Sequence, residues 1–385
     1  MAAPDNETCD IVIVGGGLAG GLAALALARR RPDLDVRLIE PGAIGGNHIW
    51  SFFDQDIAAG DRWLVEPLIR YRWEAYDVAF PAYRRTLPMA YNSITGEALA
   101  EAVAEVLPAD RLIRKSAILL GPRSIAFDDG SKIEARHVID ARGVGDLAGI
   151  GCGWQKFVGQ ALRIEGGHGL HQPVVMDATV EQLGGYRFVY CLPFDAETVF
   201  VEDTYYSDEA ALDVAVVRDG IAAYAAARGW QVAEIEREET GWLPVVMAGE
   251  FGAIWPKGDG VARIGVRAGR FHATTGYSLP DAVRTAAALP ALIDRADLAE
   301  VLHEQAAASW RHQRFYRMLG AMLFRAAEPG QRYRIFQRFY RLSPGLIARF
   351  YAGASTAKDK LRILSGKPPV PVGKAIAALA KLDWR

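Results

Sequence analysis

The 385 residues carry a formal net charge of −2 and are 51% hydrophobic. That is ample material for a large apolar core, and it lacks the basic excess of a nucleic-acid binder, so nucleic acid is excluded as a partner. Cys9, Cys152 and Cys191 have neither disulfide-type nor metal-ligand spacing, and no secretory signal precedes them. The expected setting is a reducing cytoplasm, with no metal site.

Residues 11–14, Ile-Val-Ile-Val, form a β-branched apolar run that predicts a buried parallel strand. Gly15, Gly17 and Gly20 follow at G-x-G-x-x-G spacing. The first permits a tight turn, the second lets backbone approach a pyrophosphate, and the third brings the helix close to the strand. A helix over 18–30 aims its free N–H groups at the phosphates. Residues 36–39 make a second strand, and Glu40 stands where a carboxylate takes ribose hydroxyls. The glycines alone are weak evidence; strand, helix and terminal acid in register predict a socket for an adenine dinucleotide. Residues 11–28 are also free of charge, as a membrane span would be, but five glycines between 15 and 21 are too costly as helix interior.

A loop is expected over 41–53, strand alternation over 73–80 and a helix over 96–107. Residues 118–139 read as a hairpin or meander turning at Asp129-Gly130. The run 137–139 then enters the small-residue turn Asp140-Ala-Arg-Gly143, a strand placed to return to the first sheet and close over the dinucleotide. From 157 to 206 the pattern is one of alternating strands without helices between them, as in an antiparallel sheet. A helix over 208–227 and a strand over 230–239 follow. A further strand over 261–265 leads into a turn reaching 277, and Ser278 or Pro280 opens a helix. Everything past 282 is expected to be mainly helical, with Pro368 and Pro369 breaking the tail.

The predicted fold class is therefore α/β, with a Rossmann-like FAD-binding domain assembled from 1–75, 96–150 and 255–309. An antiparallel β-sheet substrate domain, 76–95 and 151–254, is inserted into it, and 310–385 form a helical C-terminal region. FAD is preferred to NAD because a plain nicotinamide domain has no need of the Asp140–Gly143 strand end or of the turn over 265–276.

Charge is unevenly distributed. Residues 310–385 hold 16 Lys/Arg against 3 Asp/Glu, leaving 28 against 43 for the rest. In that tail Arg314, Arg317, Arg334, Arg338 and Arg341 interleave with Phe315, Tyr316, Leu323, Phe324, Phe336, Phe339 and Tyr340 at helical spacing. Such a stretch suits an anionic membrane surface. A helical cap pairing its arginines with an acidic body fits equally.

With these residues assembled, the chain resembles the bacterial lycopene β-cyclases over nearly its whole length. The matching motifs are Val12-Ile-Val-Gly-Gly-Gly-Leu-Ala-Gly20, Gly45-Gly-Asn-His-Ile-Trp-Ser51, Val138-Ile-Asp-Ala-Arg-Gly143, Phe200-Val-Glu-Asp-Thr204, and Gly265-Val-Arg-Ala-Gly269 with Thr274-Thr-Gly-Tyr-Ser278. The first and third are common to many flavoproteins; the others together are particular to these cyclases. The fourth usually reads Phe-Leu-Glu-Glu-Thr, so Val201 and Asp203 depart from it while Glu202 is kept, and the second more often has Thr at position 49.

The resemblance implies an FAD fold related to aromatic hydroxylases and geranylgeranyl reductases, active with reduced flavin and NAD(P)H as electron source. It implies lycopene and related acyclic carotenoids as substrates, whose ψ ends are cyclised to β-ionone rings, lycopene going to β-carotene through γ-carotene. From the cysteine usage and the basic C-terminal region, a cytoplasmic enzyme held peripherally on the inner face of the cell membrane is expected. The expected cofactor contacts are Gly15, Gly17, Gly20, Glu40, Gly45, Gly46, His48, Asp140, Gly143, Gly265, Ala268, Gly269, Thr275 and Gly276.

The catalytic acids are expected in Glu202 and Asp203. Cyclisation needs a carboxylic acid that is neutral near pH 7, which an apolar pocket provides by raising its pKa. Strand alternation puts Phe200, Glu202 and Thr204 on one face and Val201, Asp203 and Tyr205 on the other, so one acid enters the pocket while its neighbour does not. From the residues alone, two acids ending a strand near solvent is the plainer reading; the family motif reverses that preference. Trp242, Trp255, Tyr186, Tyr190 and Tyr277 are candidates to face a cation through their rings.

Two other functions fit the same fold. A flavin monooxygenase usually carries Gly-Asp in the late turn, where this chain has Gly265-Val266. A non-catalytic escort for prenylated lipid would leave lycopene unchanged.

Overall fold

The computed structural model describes residues 6–366, with Gly373 alone beyond them, so the prolines expected to break the tail lie outside the described residues. The strand Asn6–Val14 runs parallel to Val36–Ile39 on one side and to Lys132–Asp140 on the other, with Val14 opposite Asp140. Its segment from Ile11 to Val14 is almost fully buried, as a β-branched run with both faces covered should be. The short strand Ala262–Arg263 joins beside Ile139 and Asp140, so a segment remote in sequence completes the dinucleotide sheet. The expected hairpin is present: Ser124–Phe127 is antiparallel to Lys132–Asp140, and Gly130 takes a left-handed φ of 82° in the turn.

Helix Leu18–Arg30 covers this sheet and is buried along nine residues. It packs against helices Gly96–Val106 and Leu279–Leu292. The first of these starts where Thr95 accepts the N–H of Ala98, an N-cap worth about 1 kcal/mol.

A second, seven-stranded sheet holds Gly151–Glu165 between Thr198–Ser207 and the edge strand Gln231–Ala248, and continues through Tyr186–Pro193, Val174–Asp177, Tyr76–Phe80 and Tyr83–Leu87. Helix Val214–Ala227, capped by Asp213, covers one face. It begins later than the expected position 208, because the cap residue decides where the free N–H groups find a partner. A third sheet joins Ile49–Phe53, Tyr91–Thr95 and Ile69–Trp73. Residues 49–53, expected as loop, are thus a strand, and 91–95 pair with them instead of joining the second sheet.

Helices Arg314–Arg325, Tyr333–Phe339, Pro344–Tyr351 and Ala357–Leu364 close over the other face of the second sheet. Gly153 makes room for them, since a Cβ there would lie 2.3 Å from the ring of Phe324. Much of the region's basic charge is used internally. Arg332 is fully buried and donates to the carbonyls of Phe324 (2.8 Å) and Tyr206 (3.2 Å). Arg317 stacks on Trp310 at 4.2 Å, and Arg349 pairs with Asp359 at 2.7 Å. Arg338 and Arg341 donate to the carbonyls of Ser365 and Ala82. The region is a helical cap, held to the body mainly by apolar side chains and carbonyl contacts.

Candidate active site

A cavity of about 920 Å³ lies where these parts meet. Its floor is one face of the second sheet, its near wall the glycine turn and the turn over 274–278, and its roof the C-terminal helices. Most of the lining is apolar or aromatic, including Phe157, Phe188, Phe200, Phe336, Phe339 and Leu323.

The nucleotide end is built by close approaches. Gly15 has φ 106°, and a Cβ on Gly20 would lie 1.8 Å from the Gly15 carbonyl oxygen. A Cβ on Gly17 would meet nothing within 4 Å, because Gly17 opens the helix towards free space. Gly17, Leu18 and Ala19 line the cavity, so the positive end of the helix faces it. Glu40 accepts the N–H groups of Gly16 (2.8 Å) and Gly42 (2.9 Å), which fixes the carboxylate beside the turn. Gly45 donates to the Gly16 carbonyl at 2.8 Å, and Gly45 and Gly46 both adopt positive φ. This arrangement fits an adenine dinucleotide whose ring end reaches the cavity.

The later cofactor candidates divide. Gly143, Gly265, Thr275, Gly276 and His48 line the cavity. Gly265 packs against the first turn of the helix, its imagined Cβ 2.4 Å from that of Ala19. Asp140 is buried and bidentate to Arg142 (2.9 and 2.8 Å), and also accepts from Arg267 (2.9 Å). Its carboxylate therefore positions two arginines. Ala268 and Gly269 stand behind the lining, Ala268 wholly buried and Gly269 against Ile254.

At the far end Glu202 lines the cavity with Phe200 and Tyr206 of the same strand face. Burial pushes its carboxyl up to about 7, opposed by a hydrogen bond from the Thr204 hydroxyl at 2.5 Å. Asp203, expected among the catalytic acids, lies on the opposite face. It is bound by Arg187 at 2.9 and 2.8 Å beneath helix Val214–Ala227, whose Gly220 leaves space for it. Alternation along the strand separates the two acids, and Asp203 is structural in position.

Four strands contribute one row across the sheet: Tyr190, Glu202, Gly159 and Glu239 stand opposite one another in register. Glu239 was not anticipated. It is 3% exposed and lines the same cavity, accepting the Ile49 N–H at 3.1 Å with His48 Nδ1 at 3.9 Å. Burial, then the charge of Glu202, pushes it up to about 8. Burial and the Arg237 charge hold His48 below its ordinary value, so at neutral pH it is an uncharged neighbour.

Beside this row the hydroxyls of Tyr91, Tyr190, Tyr277 and Ser51 form a linked network, with Tyr91 to Tyr190 at 3.1 Å and Tyr190 to Ser51 at 2.8 Å. Burial raises all three phenols well above their usual range, so they stay protonated. Among the aromatic candidates, Tyr190, Tyr277 and Trp242 line the cavity, the last exposed at its edge. Tyr186 is buried against Phe336 and Trp255 packs on His303, both outside the lining.

Solved structures share the fold. A geranylgeranyl bacteriochlorophyll reductase-like protein of Thermoplasma acidophilum superposes with TM-score 0.61 at 13% identity, covering 98% of this chain and 100% of that one. The p-nitrophenol 4-monooxygenase of Pseudomonas putida gives TM-score 0.60 at 13% identity, over 91% and 99%. In sequence, the lycopene beta-cyclase of Pseudescherichia vulneris is 44% identical over 369 residues, 95% of this chain and 96% of that protein. The family model described as lycopene cyclase protein matches residues 10–377, and on that match and this identity the chain belongs to the lycopene cyclase family.

Proposed function

We propose that the protein is a flavin-dependent lycopene β-cyclase, binding FAD along the glycine turn and taking the ψ ends of lycopene and related acyclic carotenoids into the cavity. The observation that carries this reading is Glu202, a carboxyl pushed to about 7 in an aromatic-walled cavity beside a dinucleotide socket. Glu202 delivers its proton to C2 of the terminal alkene, leaving a tertiary cation at C1. The C5–C6 double bond attacks C1, the charge moves to C5, and loss of the C6 proton completes the β ring. Reduced FAD, with NAD(P)H as the proposed electron source, supplies negative charge beside that cation when bound. The faces of Phe157, Tyr190 and Tyr206 attract it, and the helical roof excludes water that would otherwise hydrate it.

The test is anaerobic incubation with FAD, dithionite and lycopene-loaded liposomes, followed by separation of the carotenoids. γ- and β-carotene are expected. Unchanged lycopene in the presence of stoichiometric bound flavin rejects the reading.

The substrate dissolves in membranes, and among the described residues no helix is long and apolar enough to cross one. We propose that the protein works peripherally on the inner face of the cell membrane, through its C-terminal region. Helix Ala357–Leu364 exposes Leu361 (71%) and Leu364 (47%) beside Lys358 and Arg362. Co-sedimentation with liposomes should rise with anionic lipid and fall with salt. Equal binding to neutral vesicles removes the electrostatic part.

A further inference from the structure

Cyclisation moves two protons: one arrives at C2 and another leaves C6. A single carboxyl would have to do both in turn, from two positions around the forming ring. The cavity floor holds a second carboxyl in the same row as Glu202. Glu239 stands two strands away, on the far side of Gly159, on the same face and lining the same cavity. Two strand spacings put the two backbones roughly 10 Å apart. Each side chain reaches inward from its strand, so the carboxyls approach one reaction space from two sides.

Gly159 contributes no side chain to the interval. A Cβ there would lie 2.2 Å from the ring of Phe200, so the position between the acids is filled by an aromatic face instead of a side chain from the central strand. Glu239 is buried, and the charge of Arg237, which pairs with Glu97 at 2.8 Å, pulls its carboxyl down less than burial and Glu202 push it up, while His48 stays uncharged. A buried carboxyl is costly unless paired, and so marks a functional position.

We propose that Glu239 is the base of the reaction, accepting the proton from C6 after Glu202 has delivered one to C2. The inference rests on the cyclase reading of the cavity. The electron balance closes within the ring: the C2–H bond forms with the C1=C2 pair, the C1–C6 bond forms with the C5=C6 pair, and the C6–H pair becomes the new C5=C6 bond. One proton thus passes from Glu202 to Glu239, and its return resets the site. In the reactive form the pair holds one proton, on Glu202, while Glu239 is ionised and its carboxylate accepts the Ile49 N–H at 3.1 Å.

The base decides which ring is made, because the C5 cation yields a β ring by losing the C6 proton, an ε ring by losing one from C4, and an exocyclic γ ring from the methyl carbon. The experiment compares wild type, Glu239→Gln and Glu239→Asp as FAD-loaded proteins, separating end groups by chromatography and NMR. In Glu239→Gln, β-ring formation should fall by about 10²-fold. The share of ε or γ ends should rise, and in D₂O one deuterium per ring should still enter at C2. Glu239→Asp should recover β rings in part, a rescue that a purely structural role does not produce.

β rings alone at wild-type rate in Glu239→Gln overturn the proposal. So does an inert, flavin-loaded Glu239→Gln that Glu239→Asp does not improve. If Glu239→Gln does not bind flavin, Glu239→Asp decides: unchanged rate and ring type overturn it, while lowered rate with new ring types supports it. Failure of the cyclase reading itself looks different, since wild type would then give no cyclic product.

Discussion

Replacing Glu202 with Gln should remove activity and at the same time stabilise the protein at alkaline pH. Burial lifts the carboxyl from its ordinary 4.5 to about 7. At pH 7 an ordinary glutamic acid is protonated about one part in 300, whereas this one is about half protonated, a gain of roughly 150-fold in available acid. The same shift is a stability statement. The unfolded chain ionises at 4.5 and the folded chain near 7, so the folded state loses stability as pH rises across that window. At pH 8 and above the buried carboxylate costs up to about 3 kcal/mol, which Gln does not incur. Glu202→Gln should therefore melt higher than wild type at pH 8 and equally at pH 4, with bound flavin retained. Its cyclisation rate should drop by about 10²–10⁴-fold. Wild-type activity should fall once both carboxyls have ionised, approaching tenfold per pH unit above about 8. Calorimetry and carotenoid separation across pH 4–9 measure both effects. A flat wild-type rate up to pH 9, or a Glu202→Gln protein that cyclises normally, would refute the reasoning.

Gly17→Val projects into open space, so the fold should survive while flavin absorbance is lost; retained flavin counts against the socket. Gly20→Ala instead collides with the Gly15 carbonyl and should lower the melting temperature. Asp203→Asn strands the buried Arg187 guanidinium and should cost about 3–5 kcal/mol by denaturant titration. The remaining folded fraction should cyclise at nearly wild-type rate, and a selective loss of turnover would return Asp203 to the mechanism. His272 is held down to about 4 by burial, its Nδ1 accepting the N–H groups of Thr274 and Thr275. Protons bind the unfolded chain first as pH falls from 6.5 towards 4, so stability drops there by up to about 3 kcal/mol. A His272→Gln variant should flatten that limb of the stability–pH curve, and an unaltered slope would assign it elsewhere.

The glycine socket was legible because its physics is local: a turn, a helix start and a carboxylate lie within about thirty residues. Glu202 and Asp203 were also separable, since alternation alone assigns them to opposite faces. Glu239 was hidden by its surroundings. Gly241 and Pro244 follow it and read as a strand end, yet the strand runs from Gln231 to Ala248. It tolerates proline because it is the edge of its sheet, with one side free of ladder bonds. Had the strand been continued, the alternation of 239, 241 and 243 would have placed Glu239 facing inward. Cross-strand register is set by pairing partners far apart in sequence, so the row containing Gly159 could not be read from any one segment. Trp255 misled for the opposite reason: its size suited a cavity wall, but the helix carrying His303 covers it.

The helical roof also has a consequence during synthesis. Translation at about 5–20 residues per second delivers the chain from its N-terminus, and domains fold as they emerge. Here the first sheet waits for Ala262–Arg263, and the aromatic floor of the second waits for roughly the last fifth of the chain. Throughout that interval the nascent protein displays a broad greasy surface next to the ribosome. Chaperone demand, and the yield of folded protein on overexpression, should be set by how quickly those final helices arrive.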